Sequence, residues 1–177
     1  IIQMNKLTIL GCGSSLGVPA PNGYMGSCDP NEPKNYRTRC SVIIESKKFN
    51  ILIDTSPDLR SQLLNNKINK VDKVFYTHQH ADQTHGINDL RVFFLKSKKK
   101  IPVYADKVTA NYLLSNFKYC FKKKYEYPAI LNLNNLKKQH IFDKGNNQIK
   151  IRPIKLKHGQ INCMGFIINN TCAYASD

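Results

Sequence analysis

With 177 residues, the chain is long enough to bury a hydrophobic core and short enough to form a single domain. Its 41% hydrophobic and 22% charged residues are typical of a globular protein and exclude a fibrous or disordered chain. It has no apolar run of about 20 residues, no signal-peptide pattern and no C-x-x-C pair among its six Cys, so we expect a cytoplasmic protein with reduced thiols and no membrane contact.

The net charge of +15 is carried by lysines spread over predicted loops and helix faces, without interleaved aromatic residues. A surface this basic is compatible with a nucleic acid or a phosphate-bearing ligand. The chain is also rich in Asn, and Lys and Asn together are what an A-rich coding sequence produces. We therefore keep nucleic acid as a partner that is not favoured, and a homodimer stays open.

The N-terminal part is predicted to contain one strand and two loops. Met4 is a candidate start, and Lys6–Leu10 predicts a strand that breaks into the Gly/Ser-rich loop Gly11–Pro19. Small residues let the hydroxyls of Ser14 and Ser15 approach a ligand, although a plain turn between strands is the alternative. The following Pro-, Gly- and Asn-rich stretch predicts a long ordered loop, and such loops are usually functional or mobile.

A hairpin and a helix are predicted next. Apolar alternation in Cys40–Glu45 and Phe49–Ile53 predicts two paired strands. Ser56 and Pro57 suit the N-cap and the first position of a helix that runs to about Asn66.

A cluster of three histidines and one aspartate follows the predicted strand Lys73–Tyr76. These four residues, within eight positions, are His78, His80, Asp82 and His85. Donors at alternate positions converge at a strand end, and borderline cations such as zinc accept imidazole and carboxylate ligands. Only five His occur in the chain, so three in one loop favour a metal site over a polar surface loop.

The rest of the chain predicts a strand-rich α/β fold with intercalated helices. Residues 120–144 are rich in Lys and Asn and show little pattern. The predicted elements are a helical start at Gly86–Phe94, a strand at Ile101–Tyr104, a helix capped by Asp106 that runs to about Tyr119, and strands at Ile149–Leu156, Met164–Ile168 and Cys172–Ala175.

Three further residues stand at strand ends, where site residues gather. A lone histidine such as His158 is more often structural, but a site that already has His78 and His80 needs a third imidazole, which favours His158 as a ligand. Asp177 ends the last predicted strand. For Asp54, a hydrogen-bonding role is at least as well supported as metal ligation.

Together these motifs resemble the metallo-β-lactamase-fold hydrolases, which carry H-x-H-x-D-H followed by a distant His, an Asp and a final His. The match here is His78-Gln-His80-Ala-Asp82-Gln83, then His158 and Asp177. A narrower branch, the phosphoribosyl cyclic phosphate phosphodiesterases of phosphonate breakdown, is similar from about Leu7 to Asp177. Its resemblance rests on Gly11–Pro19, Arg39–Ser41, Asp54–Asp58 and His85–Arg91.

The resemblance implies a four-layered αββα sandwich, an α/β (α+β) fold with a two-metal site at one edge. By position, His78, His80 and His158 would hold the first ion, Asp82 the second, and Asp177 would bridge them. The ions would be zinc or manganese. The implied activity is hydrolysis of a phosphodiester in a small cyclic phosphate or a nucleotide by a metal-activated water.

Several site roles are expected around this centre. Asp82 is expected to serve catalysis as well as the metal, and Ser14 and Ser15 to bind substrate. Two cations are added from the residues alone, to neutralise the phosphate: Arg39 as a further substrate-binding residue and Arg91 as a further catalytic residue.

The chain departs from the family pattern in two places. Gln83 stands where the family has His, so we expect one or two ions, with His85 as a substitute ligand or a weak second site. The family also continues beyond the position of Asp177 with strands, a helix and the final His. We therefore expect residues 1–177 to be one domain without its C-terminal strands and helix, with weak turnover.

Two alternatives remain. One is a tRNA 3′-end-processing endonuclease, which shares the fold and the ligands but normally has an inserted arm. The other is a weak or inactive metal- or nucleotide-binding remnant, for which Gln83 and the expected lack of the C-terminal segment are the arguments. If His85 lies away from the second metal position, a one-ion or inactive protein is favoured over a two-ion enzyme.

Overall fold

The computed structural model describes residues 5–177, so the candidate start at Met4 lies outside the described range. Of the helices in this range, none is long and apolar enough to cross a membrane. The strands are β1 Lys6–Gly11, β2 Ser41–Glu45, β3 Asn50–Ile53, β4 Lys73–Phe75, β5 Ile101–Ala105, β6 Leu131–Asn135, β7 His140–Phe142, β8 Ile149–His158, β9 Ile161–Ile168 and β10 Cys172–Tyr174. The α-helices are α1 Leu59–Asn65, α2 Ala81–Thr84, α3 Arg91–Ser97, α4 Lys107–Asn116 and α5 Lys118–Phe121, and 3-10 turns occur at Pro33–Asn35, Ile87–Leu90 and Gly145–Asn147.

The strands form two sheets. The first has the order β1-β2-β3-β4-β5-β6, antiparallel from β1 to β3 and parallel from β3 to β6. The second has the order β10-β9-β8-β7 and is antiparallel throughout. Because β3 and β4 are parallel neighbours, the residues that follow them, including Asp54 and Thr77, lie at the same edge of the first sheet.

Two hydrophobic cores hold the layers together. Between the sheets, side chains such as Ile51, Phe75 and Phe166 are fully buried. On the other face of the first sheet, Leu52 and Val74 pack with helix residues such as Leu59. The described residues thus build a helix layer and two stacked sheets, which confirms the predicted α/β class.

The predicted N-cap at Ser56 is wrong. Helix α1 begins at Leu59, with Asp58 in the capping position. The Ser56 hydroxyl instead accepts a hydrogen bond from the Asp58 amide (3.0 Å), which makes a turn before the helix. Asp58 itself makes no side-chain capping bond, and its carboxylate binds Arg39.

The helix predicted to reach Tyr119 ends at Asn116. Asp106 caps it as predicted, accepting from the Thr109 amide (2.9 Å). At Phe117 the backbone leaves the helical region (φ −122°), and the short α5 follows.

Strands β6 and β7 were missed by sequence analysis, and the helix predicted to start at Gly86–Phe94 is divided into two elements. In β6, Leu131 and Leu133 alternate with asparagines, which are poor strand formers, so the period-2 pattern was hard to recognise. The strand nevertheless pairs with β5 over its whole length. The helical start predicted at Gly86–Phe94 becomes a 3-10 turn followed by α3.

Gly86 is a position where only glycine fits, and it closes the histidine loop. A Cβ there would lie 2.0 Å from the Ser56 carbonyl oxygen, and the Gly86 amide donates to Thr55 O (2.8 Å). We expect Gly86→Ala to lower the free energy of unfolding by about 1–3 kcal/mol, because the backbone at Gly86 or Ser56 must move to make room for the new Cβ. Urea denaturation measures the change. Gly165→Ala is the control, since the three atoms nearest to its Cβ would be side-chain atoms of Leu156 and Ile154, which can move more easily than backbone. Equal losses of unfolding free energy in the two variants would contradict the prediction.

Candidate metal centre

Three histidines from both sheets meet at one edge of the molecule. His78 and His80 follow β4 of the first sheet, and His158 ends β8 of the second. The Met164 amide in β9 donates to Thr77 O (2.9 Å), which joins the second sheet to the histidine loop. Residues separated by almost eighty positions in the chain are thereby brought into one cluster.

The ring nitrogens of this cluster have the spacing of metal ligands. His78 Nε2 lies 3.0 Å from His80 Nδ1, and His158 Nε2 lies 3.4 Å from the same atom. Nitrogens bound about 2.0–2.1 Å from a tetrahedral zinc ion are roughly 3.3–3.4 Å apart. The three donors therefore fit a single divalent ion.

The cluster is buried on one side and accessible on the other. His78 is fully buried, His80 is exposed and His158 is half-buried. Burial lowers the pKa of His78, and the neighbouring His80 lowers it further. A neutral imidazole is the form that binds a metal, and the exposed side leaves the cluster accessible to solvent.

Asp177 lies beside this cluster. Its carboxylate oxygens are 3.9 Å from His78 Nε2 and 4.0 Å from His158 Nε2. The Cys163 thiol donates to the carbonyl oxygen of Asp177 (3.4 Å), which connects the residue to β9. The structure thus places Asp177 next to two of the three imidazoles.

The other two predicted ligands are directed elsewhere. Asp82 accepts a hydrogen bond from Gln83 Nε2 (2.9 Å), and Gln83 is buried with its Oε1 atom unpaired among the described residues. The His85 ring packs edge-on against Phe117, and its Nδ1 lies 3.1 Å from the Thr84 hydroxyl. Neither Asp82 nor His85 belongs to the group of converging donors.

Asp54 and Thr77 support His78 from behind. The Thr77 amide and hydroxyl donate to the two carboxylate oxygens of Asp54 (2.8 and 2.9 Å), and the same hydroxyl lies 3.0 Å from His78 Nδ1. Burial raises the pKa of Asp54 to about 8, and the Thr77 hydrogen bonds oppose that rise. Because the Thr77 hydroxyl donates to Asp54, its oxygen accepts from His78 Nδ1–H, which leaves Nε2 free for an ion.

Removal of the Thr77 hydroxyl should weaken metal binding. We expect Thr77→Val, which keeps the side-chain shape, to lower zinc affinity about 10- to 100-fold, because His78 loses the partner that orients its ring. Competition with a chromophoric chelator measures the affinity. Thr77→Ser keeps the hydroxyl and should bind as the unchanged chain does; similar affinity for both variants would contradict this role.

The predicted substrate residues lie in two places. Arg39 makes a bidentate ion pair with Asp58 (2.9 and 2.7 Å), while Ser14 and Ser15 are exposed on the Gly-rich loop. Arg91 lies over the Tyr127 ring, 4.4 Å from its centre, and donates to the phenol oxygen. Arg91 is therefore held by the loop before β6.

Two supporting residues were missed by sequence reasoning. Thr77 was treated only as part of the histidine loop, although its place between a strand and the first ligand was a usable signal. Asp58 was assigned no role, although it follows Ser56-Pro57 and precedes α1. Its pairing with Arg39, 19 positions away, could not be read from local pattern.

Comparisons with known proteins agree with this geometry. A family model described as "Beta-lactamase superfamily domain" matches residues 49–177. A solved structure of a new diphosphatase from the PhnP family is 30% identical, with a TM-score of 0.75, over 93% of this chain and 62% of that chain. The Zn²⁺-bound PqqB of Methylobacterium extorquens is 16% identical, with a TM-score of 0.65, over 94% and 62% respectively, which shows likeness of fold.

One curated relative adds a further similarity. A Porphyromonas gingivalis protein named octanoyltransferase is 32% identical over 165 residues, which make up 92% of this chain but 33% of that protein. The chain thus spans about a third of this relative's length. The family model covers most of the chain, and the stacked sheets agree with it, so the chain belongs to the β-lactamase superfamily and has the metallo-β-lactamase fold.

Proposed function

We propose that this chain is a metal-dependent hydrolase that cleaves a phosphodiester in a small cyclic phosphate or a nucleotide. The observation that carries the proposal is the convergence of the ring nitrogens of His78, His80 and His158 at one edge of the sandwich. The likeness to a diphosphatase of the PhnP family, at 30% identity, supports phosphate-ester chemistry.

The donor set suits zinc best. Three imidazoles with a neighbouring carboxylate, Asp177, match the ligands that zinc takes in catalytic sites, and manganese is the second choice. A bound ion would supply a Lewis acid that polarises the phosphate and lowers the pKa of water. The accessible side at His80 and His158 would admit the phosphate ester.

In this proposal Arg39 contacts the phosphate as a hydrogen-bond donor, since its ion pair with Asp58 offsets its charge. Its guanidinium is held by Asp58 in a fixed orientation, and the Asp82 carboxylate contributes to its raised pKa, so the two charges lie within electrostatic reach. Ser14 and Ser15, at the exposed tip of the Gly-rich loop, would donate to phosphate oxygens.

We propose one bound ion, because Asp82 is engaged by Gln83. The Gln83 amide donates to Asp82 Oδ2, and its own oxygen faces buried surroundings without a partner among residues 5–177. A neutral amide is a poorer ligand for zinc than imidazole.

The test combines metal content and hydrolysis. After zinc loading and desalting, plasma mass spectrometry should find about one ion per chain. The same sample should hydrolyse bis-p-nitrophenyl phosphate or a cyclic ribose phosphate, and a chelator should abolish the reaction. Absence of metal after loading, or hydrolysis that resists the chelator, would overturn the proposal.

The net charge of +15 keeps a tRNA 3′-end endonuclease as a second candidate. Against it, only residues 122–130 connect α5 to β6, which leaves no room for an extended arm at that point. Cleavage of a precursor tRNA in parallel with the small substrates distinguishes the two; cleavage of the RNA alone would favour the second candidate.

A further inference from the structure

A cavity of about 480 Å³ lies beside the Gly-rich loop, apart from the histidine cluster. This volume is within the range of small-molecule binding sites, which is about 300–1,000 Å³. The side chains that form its walls include Leu16, Val18, Tyr36, Arg37, Arg39 and Asp58.

The cavity lies at the same end of the first sheet as the metal centre. The Gly13 amide donates to Thr38 O (2.7 Å), and the Cys40 thiol donates to Gly13 O (3.4 Å), so the Gly-rich loop is joined to the segment before β2. Ser41, the first residue of β2, donates to the carbonyl oxygen of Asp54, behind His78. The cavity and the histidine cluster thus belong to segments that are joined at this end of the sheet.

One wall presents an aromatic face that is already fixed. Tyr36 is 55% exposed, and its hydroxyl donates to Pro30 O (3.1 Å), which holds the ring in place. Leu16, which is 61% exposed, contributes apolar surface to the same cavity. Two exposed apolar side chains on one cavity suit a flat aromatic group such as a nucleobase.

Another wall presents a cation. The backbone of Arg37 is paired with Val18 in both directions (2.9 and 2.7 Å), and its guanidinium contacts Cys12 Sγ (3.0 Å). Among the described residues no carboxylate forms an ion pair with Arg37, whereas Arg39 is paired with Asp58. Arg37 is thus the guanidinium of this cavity whose charge is free for an anionic ligand.

We propose that this cavity binds a nucleotide, with the base stacked on Tyr36 and the phosphate facing Arg37. The proposal rests on the proposed function, which it narrows from small phosphate esters to nucleotides. It makes Tyr36 the residue that distinguishes a nucleotide from a sugar phosphate without a base.

The test is binding of adenosine 5′-monophosphate to the chelator-treated chain by isothermal titration calorimetry, with ribose 5-phosphate as the base-free comparison. We expect tighter binding of the nucleotide. Tyr36→Ala should lower the affinity for the nucleotide roughly 5- to 150-fold, the range for loss of one base–aromatic stack, and leave the affinity for ribose 5-phosphate unchanged. Tyr36→Phe keeps the ring and should retain most of the affinity.

Further variants control for general effects. Tyr125→Ala removes an even more exposed tyrosine that has Lys124 over its ring, and it should not change binding. Arg37→Gln should reduce the affinity for the nucleotide to that for adenosine. Equal affinities of the unchanged chain for the two phosphates, or a Tyr36→Ala variant that binds as well as the unchanged chain, would overturn the proposal.

The measurement separates this site from the proposed activity, because it needs neither metal nor turnover. Nucleotide binding that depends on Tyr36 in a chain without hydrolytic activity would support the cavity and refute the hydrolase. Hydrolysis of a cyclic ribose phosphate without such nucleotide binding would support the hydrolase and refute the nucleotide site in the cavity.

Discussion

His158→Ala should abolish zinc binding at ordinary concentrations and with it the hydrolysis of bis-p-nitrophenyl phosphate. The substitution removes one of three nitrogens that lie 3.0–3.4 Å from a neighbour in the cluster. We expect zinc affinity to fall by about 100-fold or more, because even residues that only orient a ligand contribute 10- to 100-fold. Chelator competition and plasma mass spectrometry measure the loss. His158 is half-buried at a strand end, so the fold should survive.

The matched control is His85→Ala. His85 belongs to the same loop and was a predicted ligand, but its ring lies against Phe117, away from the converging nitrogens. This variant should keep its zinc. If His85→Ala loses the ion and His158→Ala keeps it, the three-histidine site is wrong.

Gln83→His should add a second ion. Gln83 is buried beside Asp82 and binds its carboxylate, so an imidazole at this position would free Asp82 and supply a nitrogen ligand. We expect the metal content after zinc loading to rise from about one to about two ions per chain. Hydrolysis should rise by roughly 100-fold, since a second ion stabilises charge in the reaction by several kcal/mol.

Gln83→Leu separates the two effects of that change. It also releases Asp82 but offers no ligand, so it should keep one ion and the original rate. Hydrolysis only in the Gln83→His variant would identify the natural chain as an inactive metal-binding remnant. Two ions in the unchanged chain would contradict the role given to the Asp82–Gln83 hydrogen bond.

The sequence was most informative where local spacing decides the structure. His78 and His80 lie at alternate positions after a buried strand, and this spacing places both rings at one sheet edge. His158 could be selected because a third imidazole was needed and it follows a β run. The predicted hydrogen-bonding role of Asp54 agrees with its two bonds from Thr77.

What the sequence did not reveal depends on contacts between distant segments. The bond from Gln83 to Asp82 depends on how α2 is buried, and the pairing of Asp58 with Arg39 depends on how α1 packs beside β2. The helix boundary was wrong because the Ser56 hydroxyl accepts from the Asp58 amide in a turn before α1, and nothing in Ser56-Pro57 indicates this turn. Strand β6 was missed because its pairing with β5, rather than its own asparagine-rich sequence, makes it a strand.

The histidines of the cluster belong to different sheets, two to the first and one to the second. An ion held by all three can be bound only while the sheets are docked, so its binding free energy adds to the free energy of unfolding. Zinc at 100 times its dissociation constant would contribute about 2.7 kcal/mol. In thermodynamic terms, such an ion would be a cross-link between the halves of the sandwich. The supply of the ion would then govern how long the folded chain persists.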